Sequence, residues 1–468
     1  MNTKVTYQNL STISLVLLIV GAVDSIRTLP ASAWFGSQLI FFFILSAIIF
    51  LIPVGLVSAE LSTIWPEEES GVYGWVKRAF GKKIAFMTIW LQWINTLVWY
   101  PTMLLFLSST LCYLIAPELS QNPLIATILS IAIFWTVTLF ALKGLHTSAR
   151  IASYCAIMGM IIPMSLVIFL GFLWLIQGHP SAIELNWHSV LPRISHQDSW
   201  VSLTAIITSF LGMELAAVHV RQIHNPQRTY PKAIFYSVAL ILLTMILGSL
   251  SIAVVLPKSE INLVLGVVQT CSVFLEYHHL GTLFHILLCL IFIGSAGSMI
   301  NWILAPSKGL SFAAQDGFIP TWLAQRKADG TPKHLLLTQA VIVTLLCLSF
   351  KLLPSINAIY WFFTALSTEL YILMYVFMFI AAIKIKFSFG HLPRPFQIPG
   401  KKLGFYLTCL LGLIGCAITL YIGFFPPQEA LNLAHPELYK TYFGLGLLLM
   451  TSPILLGFWY HRKSTSNA

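Results

Sequence analysis

The sequence predicts an all-α integral membrane protein with twelve transmembrane helices. Of its 468 residues, 57% are hydrophobic and 9% are charged, whereas the charged fraction of a soluble domain is about 25%. Apolar runs of about 20 residues, enough to cross a bilayer, recur along the whole chain. Basic residues gather between alternate runs, as in membrane proteins that follow the positive-inside rule. An ordinary soluble fold is therefore excluded.

Twelve such runs can be placed, and each has the length of one membrane span. They lie near residues 12 to 34, 37 to 62, 84 to 115, 123 to 142, 151 to 177, 200 to 220, 233 to 256, 281 to 304, 335 to 354, 356 to 383, 403 to 425 and 441 to 460.

Basic residues orient the predicted spans. With both termini in the cytoplasm, 21 of the 26 Lys and Arg residues fall on the cytoplasmic side, as the positive-inside rule requires. The net charge of +10 then reflects topology and contact with anionic lipid. Because no soluble segment gathers this charge, we expect no nucleic-acid partner. Seven cysteines without CxxC spacing give no sign of a metal site or a cofactor.

The sixth run contains an acidic residue where a membrane helix ordinarily has none. Glu214 follows Gly212 within the apolar stretch SLTAIITSFLGMELAAV. An ionisable group at mid-bilayer depth costs at least about 2.5 kcal/mol on insertion scales, and such groups usually mark a substrate path or a proton relay. We therefore predict that Glu214 belongs to a functional site.

The first run repeats this pattern. It has Gly21 three residues before Asp24, followed by Arg27 and Pro30. Two interrupted, charged helices, one opening each half of the chain, are typical of a transporter built from two repeats. A channel would have the same composition, but broken helices at corresponding positions of the two halves favour a transporter. A membrane enzyme would need a catalytic set of side chains, and the sequence shows none.

Two interpretations of Arg27 are open at this point. Its guanidinium could form a charge-assisted bond with a substrate carboxylate, or it could pair with Asp24, three residues earlier on the same helical face. The internal pair is the favoured interpretation, since an unpaired charge in lipid is the costlier state.

Several longer segments resemble a known family at matching order and spacing. They are FLIPVGLVSAELSTIWPEEESGVYGWV, MELAAVHVRQIHNPQRTYPKAI, SIAVVLPKSEINLVLGVVQT, NWILAPSKGLSFAAQ and RPFQIPGKK. Together they resemble the amino acid/polyamine/organocation (APC) superfamily of transporters, and within it the glutamate/γ-aminobutyrate antiporters. The resemblance covers nearly the whole chain.

The resemblance implies a five-plus-five inverted repeat (LeuT-like) with helices 1 and 6 broken. The ten-helix core would occupy residues 1–383, with repeats at about 11–177 and 200–383. Two additional helices would occupy residues 384–468. Glu214, Trp302, Tyr371 and Tyr375 match the family's site residues, and the two tyrosines share a helical face. With Gly21, Asp24, Arg27 and Gly212, they complete the predicted substrate-binding set.

The implied function is an amino acid antiporter of a bacterial inner membrane. It would exchange a glutamate-like or neutral amino acid for a related amino acid or a decarboxylation product, without sodium and with a dependence on pH. A proton-coupled symporter is the alternative. The sequence departs from the antiporters at DSIRTLP, where they have tyrosines before the proline, and at Ser298, where they have an acid. We also expect no cytoplasmic plug segment after Lys463.

Overall fold

A computed structural model describes most of the chain. The described residues are 11–65, 70–120, 122–143, 155, 157–192, 197–215, 226–323, 325–327, 331–353, 355–427 and 436–466. All regular secondary structure within these ranges is helical, which confirms the predicted all-α class.

Eighteen α-helices make up the described part of the fold. They are α1 (Thr12–Val23), α2 (Leu29–Ala33), α3 (Leu39–Ser46), α4 (Ile52–Ile64), α5 (Val72–Phe80), α6 (Lys82–Ile115), α7 (Pro123–Ala141), α8 (Ile162–Ile176), α9 (Trp187–Val190), α10 (Gln197–Thr208), α11 (Pro226–Val255), α12 (Gly266–Tyr277), α13 (Gly281–Gln315), α14 (Lys333–Leu348), α15 (Ile356–Ser388), α16 (Lys401–Ile422), α17 (Pro436–Thr451) and α18 (Pro453–Ser466).

Eleven helical segments of the described part are long and apolar enough to cross a membrane. They coincide with eleven of the twelve predicted spans. The remaining one, predicted near 200 to 220, contains the shorter apolar segment Trp200–Leu215. Residues 216–225, which would complete that span, lie outside the described residues.

The first span is interrupted where the sequence places its charges. Helix α1 ends at Val23, and Asp24 and Ser25 have an extended backbone. A 3-10 turn over Ile26–Thr28 then leads into α2. Pro30 lies in the first turn of α2, where a missing N–H group costs nothing because that group has no helical partner. The regular α-helix is therefore broken next to Asp24 and Arg27.

The predicted sixth span also changes conformation within its apolar run. Helix α10 ends at Thr208, turns follow, and a short 3-10 turn covers 213–215. Gly212 has φ of 102°, a conformation that residues with a Cβ rarely adopt. A Cβ at this position would also lie 3.1 Å from Trp302 Cη2. The glycine therefore permits both the turn and the close contact.

Three long helices form the centre of the fold. Helix α6 packs against both α15 and α13, and most of its side chains are buried. Helix α13 meets the segment Ile157–Ile161, where Gly159 and Gly294 approach so closely that a Cβ on either would overlap the other's backbone. Small residues allow such close helix crossings in membranes.

A buried ion cluster joins α4 to the end of α15 and the following loop. Glu60 is fully buried and accepts hydrogen bonds from Lys386 Nζ at 2.6 Å and Arg394 Nη1 at 2.6 Å. The backbone N–H of Ile398 donates to the second oxygen at 2.9 Å. These contacts fix one carboxylate with two cations, so the cluster carries net positive charge.

Candidate functional site

A cavity of about 70 Å³ lies beside the interruption of the first span. Its walls come from that interruption, from α6, from the end of α10, from α13 and from α15. Five of the eight predicted site residues line it, namely Gly21, Asp24, Arg27, Trp302 and Tyr371. In this conformation it has room for only a few water molecules.

Glu214 lies behind the cavity wall and is held by neutral donors. Tyr371 donates its hydroxyl to Oε1 at 2.5 Å, and Gln92 Nε2 donates to the same oxygen at 3.1 Å. The hydroxyl of Tyr375 donates to Oε2. Glu214 is 2% exposed and forms no ion pair with a described residue. Tyr371 lines the cavity and also contacts Glu214, so it links the two.

The two tyrosines connect Glu214 to the turn in the sixth span. Tyr371 and Tyr375 are one helical turn apart on α15, with ring centroids 5.1 Å apart. The backbone N–H of Gly212 donates to the Tyr375 hydroxyl at 3.0 Å. The predicted common face of the tyrosine pair is thus present, and it brings Gly212, Glu214 and Tyr375 together.

The guanidinium of Arg27 has no acidic partner among the described residues. Nη1 donates to Thr102 Oγ1 at 3.0 Å and to the Tyr360 hydroxyl at 3.3 Å. The group also lies over the rings of Trp99 and Tyr360, 5.3 and 5.7 Å from their centroids. Nε is buried without a hydrogen-bond partner, and the residue is 2% exposed.

Asp24 forms different contacts, so the favoured pair between Asp24 and Arg27 is absent. Thr244 on α11 donates to Asp24 Oδ2 at 2.8 Å, while Oδ1 is buried and has no hydrogen-bond partner among the residues that the structure describes. The chain between the two residues is extended and then 3-10 helical. A shared face at a spacing of three residues requires a continuous α-helix. The break therefore separates the two side chains.

An aromatic pair closes one side of the cavity. Trp302 on α13 packs against Trp99 on α6 with ring centroids 5.4 Å apart. The carbonyl of Trp302 accepts a hydrogen bond from the Tyr100 hydroxyl at 2.8 Å, which fixes α13 against α6. Because Arg27 lies over Trp99, the aromatic pair and the guanidinium form one continuous surface.

Several cavity residues on α6 were not predicted. Asn95, Thr96 and Trp99 line the cavity, and Gln92 contacts Glu214. A pattern in the sequence could have found three of them, since the polar residues Gln92, Asn95 and Thr96 share one face of an otherwise apolar helix. Ser298, where the antiporters have an acid, also lines the cavity.

Comparison with known proteins identifies the family. The model of the amino acid permease family matches residues 10–448. An uncharacterised transporter of Legionella pneumophila is 40% identical over 94% of this chain and 94% of its own length. A glutamate/γ-aminobutyrate antiporter of Lactococcus lactis is 29% identical over 88% of this chain and 83% of its own length.

A more distant relative is named for a different kind of substrate. A probable agmatine/putrescine antiporter of Lactococcus lactis is 24% identical over 90% of this chain and 89% of its own length. The family match covers most of the chain, and the apolar helices and charged interruptions agree with it. The chain belongs to the amino acid permease family, within the APC superfamily, and is a multi-span membrane transporter.

Proposed function

We propose that this protein is an amino acid antiporter of a bacterial inner membrane, exchanging a glutamate-like amino acid for a related amino acid or its decarboxylation product. The observation that carries the proposal is the buried Arg27 guanidinium in the cavity wall, whose hydrogen-bond partners among the described residues are neutral. Similarity to proteins named glutamate/γ-aminobutyrate antiporters supports the same substrate class.

Arg27 favours an anionic substrate for an energetic reason. Removing a cation from water costs several kcal/mol, and a nearby anion with good geometry offsets this cost. A guanidinium presents two N–H groups to one carboxylate, and Arg27 Nε is unused in the structure. A substrate carboxylate in the cavity would complete this pair.

Asp24 supplies the opposite charge in the same cavity. One of its oxygens has no hydrogen-bond partner, so it can accept from an ammonium group. Glutamate and its decarboxylation product share one ammonium group and one carboxylate. A site with one cation and one anion can therefore hold both exchange partners, which is what an antiporter requires.

Glu214 provides a pH-dependent element in this proposal. Neutral phenol and amide groups hold its carboxylate, so a proton can be gained or lost without breaking an ion pair. Tyr371 contacts both this carboxylate and the cavity. Proton binding at Glu214 can thus alter the cavity wall.

The proposed organisation follows the two interrupted helices. We infer that residues 1–383 form the core, with inverted repeats at about 11–177 and 200–383, and that both termini are cytoplasmic. Residues 384–468 would form two additional helices outside the core. Movement of one helix bundle against the other would expose the cavity alternately to the two sides of the membrane.

Counterflow in proteoliposomes tests the function. Uptake of labelled glutamate is measured into vesicles containing glutamate, γ-aminobutyrate, leucine or buffer alone, without sodium. We expect uptake with an acidic or decarboxylated counter-substrate and none with buffer alone. Net uptake into empty vesicles under a proton gradient would instead show symport. Exchange that prefers leucine would contradict the proposed substrate class.

Variants of Arg27 test the cavity assignment. We expect Arg27→Gln to raise KM for glutamate, since a charge-assisted bond contributes about 1.5–3 kcal/mol. Arg27→Lys retains the charge but not the paired N–H groups, so its KM should be intermediate.

Because Asp24 and Arg27 are separate, the double variant Asp24→Asn/Arg27→Gln should transport no better than Arg27→Gln alone. Recovery in the double variant would show that the two residues pair.

A further inference from the structure

A second carboxylate lies within the apolar part of the protein, away from the cavity. Glu369 is on α15, two residues before Tyr371, and is fully buried. Neither of its oxygens has a hydrogen-bond partner within the described part of the chain. No Lys, Arg or His of the described residues forms an ion pair with it. This combination differs from Glu60, which has two cations, and from Glu214, which has three neutral donors.

Glu369 and Tyr371 face different neighbours. Positions two apart on an α-helix are about 200° apart around its axis, at 3.6 residues per turn. Tyr371 faces the cavity and Glu214, whereas Glu369 contacts Gly423 at the end of α16. A Cβ on Gly423 would overlap Glu369 Oε1. Glu369 therefore lies at the contact of the predicted core with the C-terminal helices.

The other charged and titratable groups at this contact do not neutralise a carboxylate. Cys416 on α16 and Tyr439 on α17 are its titratable neighbours, and both are ordinarily neutral. The Tyr439 hydroxyl lies 3.5 Å from the Gly423 carbonyl. Lys440 pairs with Glu437 at 3.6 Å and lies over the Phe425 ring.

The end of α16 adds a second argument. Gly423 follows the last residue of that helix, and the final carbonyl groups of a helix lack partners within it. The partial negative charge of this helix end disfavours a nearby carboxylate and has no such effect on a neutral carboxylic acid. A protonated carboxylic acid therefore suits this position, and an ionised one does not.

We propose that Glu369 is a proton-binding site of the folded transporter, separate from the substrate cavity, and that loss of its proton weakens the contact of α15 with α16 and α17. The ligand is a proton, because one carboxylate among neutral groups offers too few ligands for a metal ion. The proposal does not depend on which amino acid is carried.

Infrared difference spectroscopy tests proton binding directly. The carboxylic-acid C=O band of the purified full-length protein is recorded across pH 5 to 9, with Glu369→Gln as the comparison. We expect a band at neutral pH that is weaker in the variant by the contribution of one carboxylic acid. The matched control is Glu437→Gln, because the Glu437 side chain is 83% exposed and lies 3.6 Å from Lys440 Nζ. This control should leave the band unchanged. An identical neutral-pH band in the wild type and Glu369→Gln would overturn the proposal.

Thermal unfolding gives an independent measure. The unfolded chain releases this proton above about pH 4.3, whereas the folded protein retains it. The wild type should therefore lose stability as pH rises, by at most tenfold in the folding equilibrium per pH unit for one proton. Glu369→Gln and the apolar Glu369→Met should lack this part of the pH dependence. A pH dependence of stability that is equal in the wild type and in either folded variant would overturn the proposal. If both variants fail to fold, a wild-type stability that rises with pH across this range would overturn it.

Discussion

Glu60 and Glu214 are the same residue type, both almost fully buried, yet their surroundings are opposite. Glu60 is surrounded by Lys386, Arg394 and a backbone N–H group. Glu214 is held by two phenols and an amide. The first carboxylate is in contact with two basic side chains, while the second is held by neutral donors beside a cavity.

This difference separates an acid held by an ion cluster from one held by neutral groups. Removing one member of a buried ion cluster leaves an uncompensated charge, which is strongly destabilising. An acid held by neutral donors can change its charge without leaving such a charge behind. We therefore expect Glu60 substitutions to act on stability and Glu214 substitutions to act on transport.

The largest expected effect is that of Glu60→Gln. The change leaves Lys386 and Arg394 buried without their anion, and breaking such a cluster costs about 3–5 kcal/mol. Thermal unfolding of the purified protein should show a large loss of stability, accompanied by low expression.

Adding Lys386→Met provides the control for Glu60→Gln. The double variant removes one of the two cations, so it should regain part of the lost stability through a favourable coupling. Wild-type stability in Glu60→Gln would show that the cluster does not hold α4 to α15. The distinction drawn between Glu60 and Glu214 would then be wrong.

Glu214→Gln should affect transport more than stability. The amide cannot accept the same charge-assisted bonds, each of which contributes about 1.5–3 kcal/mol. We expect the protein to fold, with exchange reduced roughly tenfold or more and with a flatter pH profile. Proteoliposome exchange between pH 5 and 8 measures both. An unchanged rate and profile would place Glu214 with the structural acids.

Tyr375→Phe tests the hydrogen bonds around Glu214. The change removes a donor to Glu214 and leaves the Gly212 N–H without its acceptor, at a cost of about 1–3 kcal/mol. Exchange should fall, by less than in Glu214→Gln. Tyr371→Phe is the matched control, because it removes the other phenol but keeps the Gly212 contact. Equal stability of the two variants would argue against a role for that contact.

Asp316, at the end of α13, should have the smallest effect on stability. Partial burial alone would raise its pKa, but hydrogen bonds from Lys77, Tyr73 and Lys82 outweigh burial and lower the pKa. The resulting stability is present above about pH 3.9 and is lost as pH falls through the lower folded value. Lys77 and Lys82 side chains are 39% and 55% exposed, so the contribution should be about 1 kcal/mol or less.

Comparison with Asp316→Asn measures this contribution. The wild type should be slightly more stable than the variant at neutral pH, and the difference should vanish in acid. A difference that grows as the pH falls would have the wrong sign. High salt should also reduce it, since the lysines are in contact with solvent.

Sequence patterns predicted those candidate site residues that carry a charge, because a charge is unfavourable in lipid. Glu214, Asp24 and Arg27 were found because charges are rare in apolar runs, and the structure places all three at or directly behind the cavity. Glu369 was missed although it produces the same signal in STELYILMYV. Gln92 and Asn95 were missed because polar, uncharged residues are weaker signals.

Composition and periodicity by themselves determined the all-helical class and the positions of eleven spans, because a lipid environment requires about 20 apolar residues for each crossing. Only the tertiary structure decided which partners the buried charged side chains have. Asp24 and Arg27 are three residues apart, but the helix is broken between them. Asp24 therefore accepts a hydrogen bond from Thr244, while Arg27 donates to Thr102 and Tyr360. Glu60, Glu214 and Glu369 cannot be told apart by their local sequence, because their charge states depend on distant helices that pack against them.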